Sequence, residues 1–153
     1  MKQELKMHAE IYSKKLVCEE NKNGVKFILY ANGFEFYKIK IDGDVEKNTA
    51  TKKCDFLVIK KDKEDIEIFI ELKGSDIKKA YEQIITSYKK YSDNNKNPKL
   101  YAAIVVSKYP SRDTSIQNKQ KELAKIFKSF PFVKNNNLEV KYNSEDNIIE
   151  KVN

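Results

Sequence analysis

Cys54-Asp55-Phe56-Leu57-Val58-Ile59-Lys60 and Ile66-Glu67-Ile68-Phe69-Ile70-Glu71-Leu72-Lys73 are the two stretches whose reading decides the fold. Each has a short, nearly continuous apolar centre rich in β-branched and aromatic residues, which predicts strands in the middle of a covered sheet. Lys61-Asp62-Lys63-Glu64-Asp65 lies between them as a charged turn. Lys63 is midway between positions 55 and 71 and is also the centre of that turn. A hairpin folded symmetrically about Lys63 sets Asp55 opposite Glu71, and a slip of one residue would spoil the match. Strand side chains alternate, so Glu71 and Lys73 share a face while Leu72 points the other way.

Working outward toward the N-terminus, residues 34–41 and 25–30 also read as strands. Asn32-Gly33 between them favours a tight hairpin, because both residues tolerate positive φ. Asp42-Gly43-Asp44 ends the second of these strands, and residues 45–53 read as a polar loop. In residues 2–20, Leu5, Ala9, Tyr12 and Leu16 recur at spacings of four, three and four, which predicts a helix ending at Asn23-Gly24.

Toward the C-terminus, residues 76–92 predict a helix. Ser75 is its expected N-cap, and Ile77, Ala80, Tyr81, Ile84, Ile85 and Tyr88 form its apolar stripe. Residues 100–106 predict another buried strand. Pro110 and Ser111 mark a loop, residues 115–129 a basic helix, and residues 138–142 a last strand. Residues 147–152 stay unassigned. The order describes an α/β fold, a mixed central sheet flanked by helices. The 76–92 helix is long enough for a right-handed parallel crossover between its flanking strands. A chain of 153 residues fits one domain, 1–153, with one core.

Composition narrows the function classes. No apolar run approaches the roughly 20 residues needed to cross a bilayer, and MKQELKMHAE lacks the apolar stretch of a secretory signal. A cytoplasmic protein is the expectation. Cys18 and Cys54 form no CxxC pair and His8 is the one histidine. Structural zinc is thus not expected, and the cysteines read as buried reduced thiols. The net charge is +7, and residues 108–134 carry seven basic residues against two acidic ones. A polyanion suits that stretch; a lysine-rich solvated surface is the other reading. Lys108, Arg112, Lys119, Lys121, Lys125 and Lys128 would supply phosphate contacts. Four glycines in the whole chain leave no phosphate-cradling loop.

Two adjacent carboxylates on a buried sheet are costly unless something positive joins them. A divalent cation is the simplest solution. Mg²⁺ or Mn²⁺ prefers hard oxygen ligands such as Asp55, Glu71 and the backbone carbonyl of Leu72. Such an ion polarises a phosphodiester and activates water, while Lys73 orients that water or offsets charge on phosphorus. Lys73 paired with Glu71 or Asp55 in a purely structural cluster is the other reading. The acid-x-Lys pattern occurs five times here, so the tripeptide alone says little. Only Glu71-Leu72-Lys73 follows a strand-borne acid at hairpin distance and precedes a helix.

CDFLV, then IFIELKG, then KKAYEQIITSYKKY resembles the core of the PD-(D/E)XK nucleases, the restriction-endonuclease-like superfamily, over roughly residues 2–106. The resemblance implies an αβββαβ core, with Asp55 and Glu71 as metal ligands and Lys73 as the catalytic lysine. Cys54 stands where the family's name has proline. The resemblance also makes Gln83, on the following helix, and Glu10, on the first helix, candidates to complete the site. Gln83 departs from the Gln-x-x-x-Tyr spacing of some branches, with Ser87 in the tyrosine's place, and each residue reads equally as surface. The activity implied is Mg²⁺- or Mn²⁺-dependent hydrolysis of DNA phosphodiesters, by a homodimer or within a larger complex. The alternatives are an inactive nucleic-acid-binding subunit of a defence or repair complex, and an interaction protein that binds no nucleic acid.

Overall fold

The computed structural model describes residues 1–20, 24–73, 76–108 and 113–152, with the side chain of Lys73 outside that set. Ser75, Asn23, Pro110, Ser111 and Arg112 also lie outside the described residues. The fold is mixed α/β, with two sheets stacked face to face and helices covering one of them.

In chain order the elements are α1 (Gln3–Lys6), β1 (Ala9–Tyr12), β2 (Lys15–Glu19), β3 (Lys26–Tyr30), β4 (Phe36–Lys40), β5 (Phe56–Lys60) and β6 (Ile66–Lys73). They continue with α2 (Ile77–Tyr91), a 3₁₀ turn (Asn94–Lys96), β7 (Lys99–Val106), α3 (Thr114–Phe127), β8 (Phe132–Asn135), β9 (Asn137–Asn143) and β10 (Ile148–Lys151). The larger sheet has the order β1-β4-β5-β6-β7-β8 and the smaller β10-β9-β3-β2. In the larger sheet β1, β4, β5 and β6 run antiparallel, then β6, β7 and β8 run parallel through α2 and α3.

The expected hairpin forms. β5 and β6 pair as Phe56↔Ile70, Leu57↔Phe69, Val58↔Ile68 and Ile59↔Glu67, a register centred on Lys63. Lys63 (φ 61) and Glu64 (φ 51) take the left-handed conformation that turns the chain. Both faces of these strands are covered. Val58, Ile68, Ile70 and Leu72 pack with Leu16, Phe27, Leu29, Leu138 and Val140 of the smaller sheet. Leu57, Ile59 and Phe69 pack with Ile77, Tyr81 and Ile84 of α2 and Leu123 and Phe127 of α3. Each fully buried side chain of this kind contributes about 1.5–3 kcal/mol, so the near-continuous apolar runs follow from two-sided burial.

Three expectations are corrected. Residues 2–20 are not one helix: only Gln3–Lys6 is helical, and β1 and β2 follow. In β2, Leu16 and Cys18 are buried while Lys15 and Glu19 are exposed, so a period of two wins over the apparent helical spacing. Second, β3 and β4 do not pair, although Asn32 (φ 54) and Gly33 (φ 91) take the turn conformation expected of them. β3 joins β2 and β9 in the smaller sheet, and β4 joins β1 and β5 in the larger. The Asn32-Gly33 turn is a corner between sheets, because both strands have better apolar partners far away in sequence. Third, Asp76 is the N-cap of α2, its carboxylate accepting from the Lys79 amide at 3.1 Å. The last strand is Asn137–Asn143, and part of the unassigned tail pairs with it as β10.

Cys18 and Cys54 are buried free thiols, as the composition suggested. Burial pushes both upward in pKa, which keeps them protonated and unreactive. No helix among the described residues is long and apolar enough to cross a membrane.

Candidate metal centre

The β5–β6 pairing brings two acids to the open end of the hairpin. Asp55 immediately precedes β5. Its amide donates to the Ile70 carbonyl at 3.0 Å, and its own carbonyl accepts from the amides of Ile41 (2.9 Å) and Asp42 (3.3 Å). Its backbone is thus stitched between β6 and the end of β4. Its side chain folds back onto β6, where Oδ2 accepts the Leu72 amide at 2.7 Å. Leu72 meets the Asp55 side chain through its N–H. Asp55 and Glu71 are both buried, at 6% and 1% exposure.

The two carboxyls lie within hydrogen-bonding reach of each other. The Asp55 carboxyl is raised from 3.8 to about 7 in all: burial raises it most, the Leu72 amide draws it down, Glu20 pushes it up, and the bond to Glu71 draws it down. A hydrogen bond between two carboxyls needs a proton on one of them, the expected state when like charges share a desolvated site.

Two further acids join from elements that strand alternation did not reveal. Glu20, just after β2, and Asp42, two residues past β4, place carboxylate oxygens within 4.8 Å of one another and of Asp55. Lys53 is missing from the sequence reading too. Its buried ammonium donates to the carbonyls of Asn48 (2.7 Å) and Thr51 (2.9 Å) and lies 3.7 Å from Asp42 Oδ1. It ties the loop between β4 and β5 down against Asp42. The Asp42-Gly43-Asp44 stretch was legible only as a turn, and nothing in the pattern around Glu20 marked it.

The remaining sequence candidates divide. Glu10 does not sit on a helix: it is an exposed residue of the edge strand β1, opposite Lys38, and is not part of this cluster. The reason is the same loss of the first helix to two strands. Gln83 does lie on α2 and its Oε1 is buried without a hydrogen-bond donor among the described residues. It shares a face with Ser87, one turn on, whose hydroxyl accepts the Cys54 amide at 2.7 Å. Lys73 closes β6 opposite Val106 of β7; its backbone is placed and its side chain is not described.

The donor set suits a hard cation. A six-coordinate Mg²⁺ spans about 4.2 Å between opposite oxygens, twice its bond of about 2.1 Å. Oxygens within 4.8 Å of one another are therefore a small side-chain adjustment from shared ligation. Histidine is missing from the cluster and the nearest cysteines are buried and protonated, so softer metals find few ligands here. No protein-family model, curated protein or solved structure matches this chain.

Proposed function

We propose that the protein is a divalent-cation-dependent nuclease acting on DNA phosphodiesters. The observation that carries the reading is the convergence of Glu20, Asp42, Asp55 and Glu71 at the open end of one hairpin. Four acids from four separate stretches of chain are held together there, with the Lys53 ammonium 3.7 Å from Asp42 Oδ1. The order β4–β5–β6–α2–β7 also follows the βββαβ portion of the core that the resemblance implies.

In this reading Asp55, Glu20 and Asp42 hold Mg²⁺ or Mn²⁺, with Glu71 adjacent. The bound ion would polarise the phosphodiester and stabilise the leaving oxygen. The chain's own groups do the rest. The Leu72 amide fixes the Asp55 carboxylate on one oxygen and leaves the other facing the cluster. Lys53 steadies Asp42 through the loop it clamps. Lys73, two residues beyond Glu71 on the same strand face, is assigned to orient the attacking water or offset charge on phosphorus. The basic stretch from Lys108 to Lys134 supplies phosphate affinity that is sequence-blind and salt-sensitive.

Cleavage of supercoiled, linear and single-stranded DNA with Mg²⁺ or Mn²⁺ tests the reading, comparing wild type with Glu71→Ala and Lys73→Ala. Activity in wild type alone supports it. Cleavage that survives both substitutions, or a calorimetric titration showing no Mn²⁺ uptake by wild type, overturns it.

A further inference from the structure

α3 carries a second feature, remote from the acids. Thr114, Asn118, Lys121 and Lys125 recur along α3 at helical spacings of four, three and four, Lys128 follows at its left-handed C-cap, and all are exposed. Lys121, Lys125 and Lys128 have no carboxylate within ion-pair distance among the described residues. Lys119 on the neighbouring face, in contrast, pairs with Glu122 at 3.5 Å. Beyond the last of these lysines stands Phe130, 73% exposed. Phe130, the three lysines, Ala124 and Ser129 line a groove of about 470 Å³.

We propose that this stripe is a track for single-stranded DNA, with the three lysines on successive phosphates and Phe130 stacked on a base. The reading rests on the nuclease proposal for the polymer's identity and adds the class of strand. Lys121 and Lys125, one turn apart on α3, have Cβ atoms roughly 5–6 Å apart, close to the step between neighbouring phosphates of an extended strand, and Lys128 follows at the left-handed C-cap. An exposed aromatic ring needs a free base face. A single strand offers one and a paired duplex hides it, so Phe130 sets the preference.

The track also points toward the acids. α2 and α3 run parallel: Asp113 feels the charge of Lys78 at their starts, and Tyr88 meets Phe127, ring centroids 5.3 Å apart, near their ends. α3 is about 21 Å long at 1.5 Å per residue. A strand laid along it from Phe130 therefore travels toward the end of the sheet where β6 and β7 stop.

An anionic lipid surface is the competing partner for lysines around a phenylalanine. Membrane-lying helices keep a whole apolar face free to enter the lipid. α3 turns its apolar residues, Ile116, Leu123, Ile126 and Phe127, into the core, which leaves Phe130 alone. The charge and the lone ring suit a nucleic acid better.

Fluorescence anisotropy with the full chain in EDTA reads binding apart from cleavage. The probes are labelled oligothymidylate of about 15 nucleotides and a blunt DNA hairpin. Phe130→Ala is expected to weaken oligothymidylate binding roughly tenfold and leave hairpin affinity within about twofold. Joint replacement of Lys121, Lys125 and Lys128 by Gln should flatten the salt dependence of log Kd by about 2, from roughly 0.7 per phosphate. All four side chains are exposed, and circular dichroism checks that the variants fold. Variants that bind like wild type overturn the track, as does equal loss on both probes. So does wild-type protein that sediments with phosphatidylserine vesicles but ignores the oligonucleotide. Track-dependent binding without any cation-dependent cleavage supports the track and overturns the nuclease reading; cleavage indifferent to these variants does the reverse.

Discussion

At the turn end of the β5–β6 hairpin, the buried Glu67 and the partly buried Asp65 are each matched by donors. Glu67 accepts the Ser92 hydroxyl at 2.6 Å and the Asp93 amide at 3.0 Å. Asp65 pairs with Lys60 at 3.0 Å and accepts Asn147 Nδ2 at 3.0 Å. At the open end of the same hairpin, Asp55 has the Leu72 amide and then a company of like charges, Glu20, Asp42 and Glu71. The titration of the two ends follows. Burial would raise Asp65, but Lys60 and Asn147 more than offset it and hold the carboxyl below its usual range. Burial raises Glu67, with Ser92 and the Asp93 amide working against it. Asp55 is pushed far enough to titrate near neutrality. A buried carboxylate matched by donors belongs to the fold, whereas carboxylates gathered around a buried one such as Asp55 make a place that a cation would stabilise.

The sharpest way to break that contrast is activity. Asp55→Ala should lower plasmid-cleavage rate at least about 100-fold, the scale expected when a ligand rather than its support is removed. Glu67→Ala should leave the rate per folded molecule unchanged. Equal losses at the two ends would erase the distinction.

Stability should move in opposite directions. Removing the Glu67 carboxylate strands the Ser92 hydroxyl and the Asp93 amide, and Glu67→Ala should cost about 1–3 kcal/mol in urea unfolding. Asp55→Asn keeps an acceptor for the Leu72 amide and deletes a charge repelled by its neighbours. In EDTA at pH 8 it should raise Tm, by about 2–4 °C for each kcal/mol gained.

The pH dependence sharpens the same point. A carboxyl with a folded pKa above its unfolded value takes up a proton on folding between those values. Wild-type stability in EDTA should therefore fall as pH rises from about 4 to about 7, the window set by 3.8 and about 7 for Asp55. Mn²⁺ at pH 8 should restore it, and Asp55→Asn should show neither the fall nor the rescue. A flat profile measured for wild type would remove the electrostatic basis of the contrast.

The smallest effect is expected at the turn itself. Asp65→Asn retains the contact with Asn147 and loses the charge opposite Lys60. With Asp65 a quarter exposed to solvent, the pair is worth about 1 kcal/mol, read as a shift in the urea midpoint.

Much of the hairpin was legible because its determinants are local. Alternation within residues 66–73, the apolar run of 54–60 and a five-residue charged turn centred on Lys63 fix one register, and Phe56↔Ile70 follows from it. The 76–92 helix was legible from its apolar stripe for the same reason. The first 40 residues misled because apolar spacing there fits two periods: Leu5, Ala9, Tyr12 and Leu16 suit a helix, while the alternation of Lys15 to Glu19 suits a strand. Local signals cannot choose between a helix laid on a sheet and strands that build a second sheet; burial against Phe27, Leu138 and Val140 does.

The sequence by itself determined that Asp55 and Glu71 meet, because strand pairing across a short turn is a matter of counting residues. Only the tertiary structure decided that Glu20 and Asp42 join them. Glu20 arrives when the smaller sheet packs on the larger, and Asp42 when β4 is drawn from a presumed hairpin with β3 to the flank of β5. Those placements depend on the summed burial of side chains far apart in the chain, a non-local, cooperative quantity that no pattern around either acid records.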